Sequence, residues 1–308
     1  MNTQFQPSAA GLRTSRNRRG YLLYLLPGIT GLAVVVVLPF VTNVVLSFTK
    51  WAGIGTPTFV GLENFTRLLQ DSNFWVSFVN SIAMIVAMAI IPTALSLLLA
   101  ALLYDFIGNK FGPRIASFFR AGFYLPQILP ITVVGILWGW ILLPSGGVLN
   151  TVLDGAGLGA LKSNWLGQPS TALAAVMAVL VWFQVGYCLV IFMAGLSRTD
   201  PSLTEAASLD GASWLQRFRH VIVPQLKPEI YVVLLTTTIT ALKVFGPIFV
   251  LTKGGPGNAT TVPSYFAWQN FFSKNQIGYG AAISTVMTVL IIVLALVFLK
   301  VQSKGQED

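Results

Sequence analysis

The long apolar runs decide most of what this chain can fold into. A helix needs about 20 apolar residues to cross the hydrocarbon core of a bilayer. Six segments reach that length: about 21–48, 78–104, 116–143, 171–196, 229–251 and 278–300. Backbone inside lipid must satisfy its own hydrogen bonds, so the runs predict helices and an all-α membrane protein. Charged residues make up only 9% of the chain, against about 25% in a soluble domain. No connection is long enough for a sizeable extramembrane domain. Residues 20–301 therefore read as one transmembrane domain between a basic tail, 1–19, and a short tail, 302–308. Residues 1–12 read as disordered. The first run follows basic residues like a signal peptide, but it is too long, carries Pro27 and Pro39 near its ends and lacks a small-residue cleavage site. It is expected to be a retained span.

The net charge of +9 raises the question of a polyanionic partner, and its distribution answers it. With the first tail inside, Arg13, Arg16, Arg18, Arg19, Lys110, Arg114, Arg120, Arg198, Arg217, Arg219, Lys227, Lys300 and Lys304 all fall on one side. Only Lys50, Arg67, Lys162, Lys253 and Lys274 fall on the other, with Lys243 left inside a span. That asymmetry is the positive-inside pattern, and it accounts for the charge without nucleic acid.

The segment 198–228 interrupts the apolar plan on the basic side. Asp200 is a candidate N-cap, followed by Pro201 at the first helical position. Asp210-Gly211 breaks this helix, since glycine takes the left-handed conformation of a turn. Ser213 restarts it, with Gln216 completing a capping box. Trp214, Leu215, Phe218, Val221 and Ile222 fall on one expected face, with Gln216, Arg217, Arg219 and His220 opposite, and Pro224 as the stop. A helix–turn–helix held outside the lipid and anchored at both ends is suited to touching another protein.

Several chemistries have no residues to carry them. No GxxxxGK[ST] loop occurs, so ATP phosphates have no Walker cradle. Gly155-Ala156-Gly157-Leu158-Gly159-Ala160 matches GxGxxA only formally, in a short external loop without βαβ context. His220 is the sole histidine, on an expected solvated face, which excludes a multi-histidine metal site and leaves no catalytic partner for a serine. Cys188 is the sole cysteine, so no intramolecular disulfide forms. Asn64-Phe65-Thr66 and Asn258-Ala259-Thr260 match the glycosylation sequon, a pattern common by chance.

Polarity within the spans marks candidate pathway residues. Charge at the centre of a membrane helix costs at least about 2.5–3.5 kcal/mol, which makes Lys243 the outlier. Thr236, Thr240, Lys243 and Pro247 recur at helical spacing, and Gly246-Pro247 should distort the helix. This face either lines a hydrated pathway, or Lys243 snorkels outward and the threonines bond back to their own helix. Gln184, Tyr187, Ser284 and Thr288 are weaker candidates of the same kind, as are Trp138 and Trp140, which also suit a membrane interface.

Glu205-Ala206-Ala207, then Gly211, then Val221-Ile222-Val223-Pro224 resembles the EAA motif of permease subunits from binding-protein-dependent ABC importers. The family pattern is EAA, three residues, Gly, nine residues, then Ile-x-Leu-Pro. The glycine and proline spacing holds here, with Val221 and Val223 replacing Ile and Leu. Residues 249–260, FVLTKGGPGNAT, are similar to an external loop of the carbohydrate-uptake branch, relatives of the larger maltose permease subunit. Gly246 stands where many members of that branch have Asp. The resemblance covers nearly the whole chain from residue 20.

The resemblance implies a six-span permease with a cytoplasmic pair of coupling helices in a bacterial or archaeal cell membrane, both termini cytoplasmic. Glu205, Ala206, Ala207, Asp210, Gly211 and Pro224 would couple it to an ABC ATPase dimer, which holds the ATP and magnesium; this chain binds no cofactor and is no enzyme alone. A second related permease and an extracytoplasmic solute-binding protein would complete the assembly. The binding protein would present a di- or oligosaccharide to external loops 49–77, 144–170 and 252–277. A sugar derivative such as glycerol 3-phosphate is the alternative solute, for which Lys243 would matter. An ion-coupled secondary carrier is the alternative class, but it wants mid-span acids that the sequence lacks.

Overall fold

The computed structural model describes residues 20–107 and 111–304. The tail 1–19, Lys110 and residues 305–308 lie outside the described residues. Four helices are long and apolar enough to cross a membrane: Tyr24–Ser47, Ser72–Tyr104, Pro169–Leu196 and Ile277–Ser303. The second begins six residues before the expected start at 78, where the Asp71 carboxylate accepts the Asn73 N–H at 2.9 Å as an N-cap.

Within the expected span 116–143 the chain forms two helices, Arg114–Ile128 and Ile131–Ile141, bent by 97°. Pro130 is the cause. It offers no N–H to continue the helix and pushes Leu129 into an extended conformation, φ −77° and ψ 137°. The expected span 229–251 is broken too. Helix Lys227–Leu242 ends at Lys243, and Gly246–Leu251 starts afresh with Pro247 in its first turn. Thr236, Thr240, Lys243 and Pro247 therefore do not share one continuous helical face, because the chain leaves helical geometry at Lys243.

The segments expected as external loops carry structure of their own. Thr49–Lys50 pairs antiparallel with Thr58–Phe59, the only strand pair among the described residues. Glu63–Gln70 and Val148–Gly155 are short helices. The formal GxGxxA match begins at the end of the latter, not after a strand. Helix Pro263–Trp268 winds on in π form through Gln269–Ser273, inside the expected loop 252–277. The Asn64 sequon is a staple: Asn64 is buried, and its amide donates to the Ser47 and Thr49 carbonyls, each at 2.9 Å.

Helix 169–196 is the hub. A Cβ on Gly186 would stand 2.1 Å from the Phe123 carbonyl oxygen, so only glycine admits helix Pro113–Ile128 this closely. Ser96 Oγ donates to the Val185 carbonyl at 2.8 Å, and Asn43 donates to Thr285 Oγ1 at 3.0 Å, tying the first helix to the last. Lipid supplies no hydrophobic drive between helices, so close packing and such bonds hold them together. Asn80 fixes the Gly254-Gly255-Pro256 loop: its amide donates to the carbonyls of Asn258, Ala259 and Thr261 at 3.4, 3.1 and 2.9 Å. Stranding a buried acceptor costs about 1–3 kcal/mol. Asn80→Ala is accordingly expected to speed amide hydrogen exchange across 258–262 while leaving helix 169–196 protected.

Candidate functional site

Two places collect the functional candidates, and the first is the segment 198–228. The Asp200 carboxylate accepts the Ser202 N–H at 2.9 Å and caps helix Pro201–Leu209, which carries Glu205, Ala206 and Ala207. Glu205 and Ala206 are exposed. Gly211 follows Asp210 with φ +80°, and a Cβ there would meet nothing within 4 Å. Glycine is therefore required by the backbone conformation, not by crowding. Ser213 and Gln216 make the expected reciprocal box, with Ser213 N donating to Gln216 Oε1 at 2.7 Å. The second helix runs Trp214–Arg217, through a π turn at Phe218–Ile222, to Val223–Gln225.

Three details of this segment differ from the sequence pattern. Leu215 is 65% exposed, and Leu203 and Leu209 in the first helix are exposed with it. Arg217 turns inward, donating to the Ala212 carbonyl at 3.1 Å and to Ser208 Oγ at 3.4 Å, so it braces the two helices against each other. Pro224 does not stop the helix, because it sits where its missing N–H is tolerated; the turn falls at buried Leu226. The Trp214 and Phe218 rings stack at 5.4 Å. His220 is exposed as expected, its Nδ1 3.0 Å from the Gln216 carbonyl oxygen.

The second place is the break at Lys243. A cavity of about 450 Å³ is lined by Lys243, Ser264, Ser284 and Thr288, with aliphatic side chains around them. Lys243 is its one charged lining residue. Thr288 Oγ1 donates to the Ser284 carbonyl at 2.8 Å, and Ser264 Oγ donates to the Val244 carbonyl freed by the helix break. The hydroxyl oxygens keep lone pairs turned to other donors. The structure does not bring Gln184, Tyr187 or Thr240 here. Gln184 is buried beside Cys188. The Tyr187 hydroxyl donates to Thr236 Oγ1 at 3.4 Å, and Thr240 Oγ1 bonds back to the Thr236 carbonyl at 2.8 Å. The threonines thus follow the self-bonding alternative, whereas Lys243, Ser284 and Thr288 meet in one cavity.

Sequence reasoning missed Ser264 and the aromatic cluster beside it. Phe249 and Trp268 meet edge to face at 5.0 Å, Phe245 and Phe249 stack at 5.4 Å, and Tyr265 and Trp268 at 5.6 Å. Pro263, a proline suited to a first helical turn, was the available signal for a helix in that loop. Trp138 packs on Trp182 at 5.4 Å, and Trp140 is exposed. Among the described residues no group of three His, Cys, Asp or Glu side chains is placed to hold a metal ion.

Residues 98–306 match the family described as binding-protein-dependent transport system inner membrane component, and the chain belongs to that family. It is 36% identical to the probable ABC transporter permease protein YurN of Bacillus subtilis, over 93% of this chain and 97% of that protein. It is 33% identical to the trehalose/maltose transport system permease protein MalF of Thermococcus litoralis, over 94% and 95% of the two chains. Its fold is that of an ABC importer permease. A solved bacterial ABC transporter involved in import of the acidic polysaccharide alginate superposes with a TM-score of 0.79 at 23% identity, covering 93% of this chain and 96% of that one.

The Asp200 cap has a pH signature. The bonds from Ser202, the backbone N–H first and the hydroxyl second, hold its carboxyl below the ordinary aspartate range. A carboxyl depressed by folding stabilises fully above its unfolded pKa, about 4, and loses that contribution as pH falls through the lower folded value. Limited proteolysis across 201–212 should therefore stay slow above that pH and quicken below it. Asp200→Ala should already be quick at neutral pH and show no further acid step.

Proposed function

We infer that this chain is the permease subunit of an ATP-driven importer, passing a di- or oligosaccharide handed over by an extracytoplasmic binding protein. The observation that carries this reading is the double-capped helix–turn–helix at 200–225, with Gly211 at φ +80° between its helices. It is a preformed, exposed knob between two apolar helices, suited to docking on an ABC ATPase dimer that holds ATP and magnesium. Glu205, Ala206, Ala207, Asp210 and Gly211 form its contact surface, and Pro224 leads out towards helix 227–242. ATP-driven closure of the ATPase pair would move the knob and bias the spans between inward and outward access. Counting the pair 114–128/131–141 and the broken pair 227–242/246–251 as one passage each would give six passages, and the positive-inside charge pattern supports both termini on the cytoplasmic side of the cell membrane. A second related permease completes the pore.

Family membership and sugar-transporting relatives such as the trehalose/maltose permease support the carbohydrate assignment. The hydroxyls of Ser264, Ser284 and Thr288 among the aliphatic side chains of the Lys243 cavity suit a sugar, which offers both apolar faces and hydrogen bonds. One observation favours the second reading, a phosphorylated derivative such as glycerol 3-phosphate: the cavity carries an ammonium and no carboxylate. An ion-coupled carrier lacks the acids it would need in the same place.

Reconstituted with ATPase, second permease and binding protein, the wild type should import solute with ATP hydrolysis. Gly211→Trp should insert normally yet abolish uptake, since a bulky residue at positive φ is strained and stands in the docking surface; normal transport by that variant would sink the coupling role. Lys243→Met should change the KM or maximal rate of uptake, and unaltered kinetics would return Lys243 to a snorkelling residue.

A further inference from the structure

We propose that Arg198 and Glu229 are positioning residues that lock the two stalks of the coupling loop in register, so that loop and helices move as one piece. The inference rests on the docking role given to 200–225 above. Arg198 stands just beyond the end of helix 169–196, and Glu229 lies in the first turn of helix 227–242. Their Nη2 and Oε1 atoms are 2.7 Å apart. Lys162–Asp154, the other ion pair among the described residues, is open to water on both partners, at 42% and 64% exposure. In the Arg198–Glu229 pair the Glu229 side chain is only 16% exposed, while Arg198 reaches it from solvent at 72% exposure.

Below the ion pair the stalks touch through a glycine. A Cβ on Gly195 would stand 2.7 Å from Leu226 Cδ2 and 3.0 Å from Glu229 Cδ. Leu226 is fully buried and joins Leu196 and Ile222 in one apolar cluster. Residues 195, 196 and 198 on one stalk thus grip 226 and 229 on the other, closing the loop into a ring. Each charge also sits where its helix favours it, the cation past a C-terminus and the anion at an N-terminus.

The two kinds of contact differ in what they resist. Apolar burial is non-directional, so the Leu226 contact holds the stalks together without pairing particular polar atoms. A charge-assisted hydrogen bond fixes particular atoms against each other. A push on the loop reaches both helices only if the stalks cannot shear, and the ion pair is the contact that forbids shear.

The test is the number of ATP molecules hydrolysed per solute imported by the complete reconstituted transporter. Arg198→Glu and Glu229→Arg are each expected to raise this ratio roughly fivefold, the effect of about 1 kcal/mol of lost coupling. Arg198→Lys should stay near wild type. The double exchange should return most of the way, but not fully, because the swapped charges oppose their helix ends. The neutral variants Arg198→Gln and Glu229→Gln complete the design without like-charge repulsion, and their combined effect should equal either alone. Unchanged ratios in the single variants, a double exchange no better than either single, or neutral effects that multiply would each overturn the proposal. Absence of any binding-protein-dependent uptake by the wild type would overturn the importer reading instead.

Discussion

Peptide groups in hydrocarbon have no water to fall back on, and the rest of this structure follows from where they find partners. The unbroken helices satisfy themselves. The breaks at Leu129 and at Lys243–Phe245 cannot; on their inner sides Ile131 and Val244 pack into a common apolar cluster with Met84, Leu180 and Tyr265, while Ile128, Leu129 and Lys243 stay exposed. Side-chain donors then take up backbone acceptors one at a time, as Ser264 does for Val244 and Asn80 does for the 258–261 carbonyls. Irregular backbone at this depth is admissible where it lines a cavity, and the Lys243 break does line one.

That constraint also explains what the sequence could and could not disclose. Apolar length alone located the four unbroken long helices, because every span must carry it. Pro130 and Gly246-Pro247 stood in plain view as breakers, yet a proline in a membrane helix can be absorbed as a mild kink, so the 97° bend was not legible. Helix 263–273 was hidden by the opposite effect: its aromatic residues give no amphipathic contrast, since it packs against other helices on several sides. Loop 198–228 was the clearest of all. Its caps are local, made between residues two or three apart, and Asp200, Ser213 and Gln216 do in the structure what their spacing announces.

The pathway residues were less legible because a cavity is a long-range object. Lys243, Ser284 and Thr288 come from two helices far apart in sequence, and Ser264 from a third. Gln184 and Tyr187 looked equivalent to them in polarity and depth but face the opposite way, into the packing of helix 169–196 with its neighbours. No periodicity within one helix separates a polar residue that staples from one that lines a void. Only the neighbours decide.

Leu203, Leu209 and Leu215 turn outward on the 200–225 knob, the second of them 89% exposed. Water is a poor solvent for that surface. A copy of the chain made in excess of its partner would present these leucines to the cell as an adhesive rim, prone to self-association and open to proteases that survey unburied apolar segments. On the docking role proposed above, an ATPase seated on the knob would cover the same three side chains, so their exposure would mark an unassembled subunit.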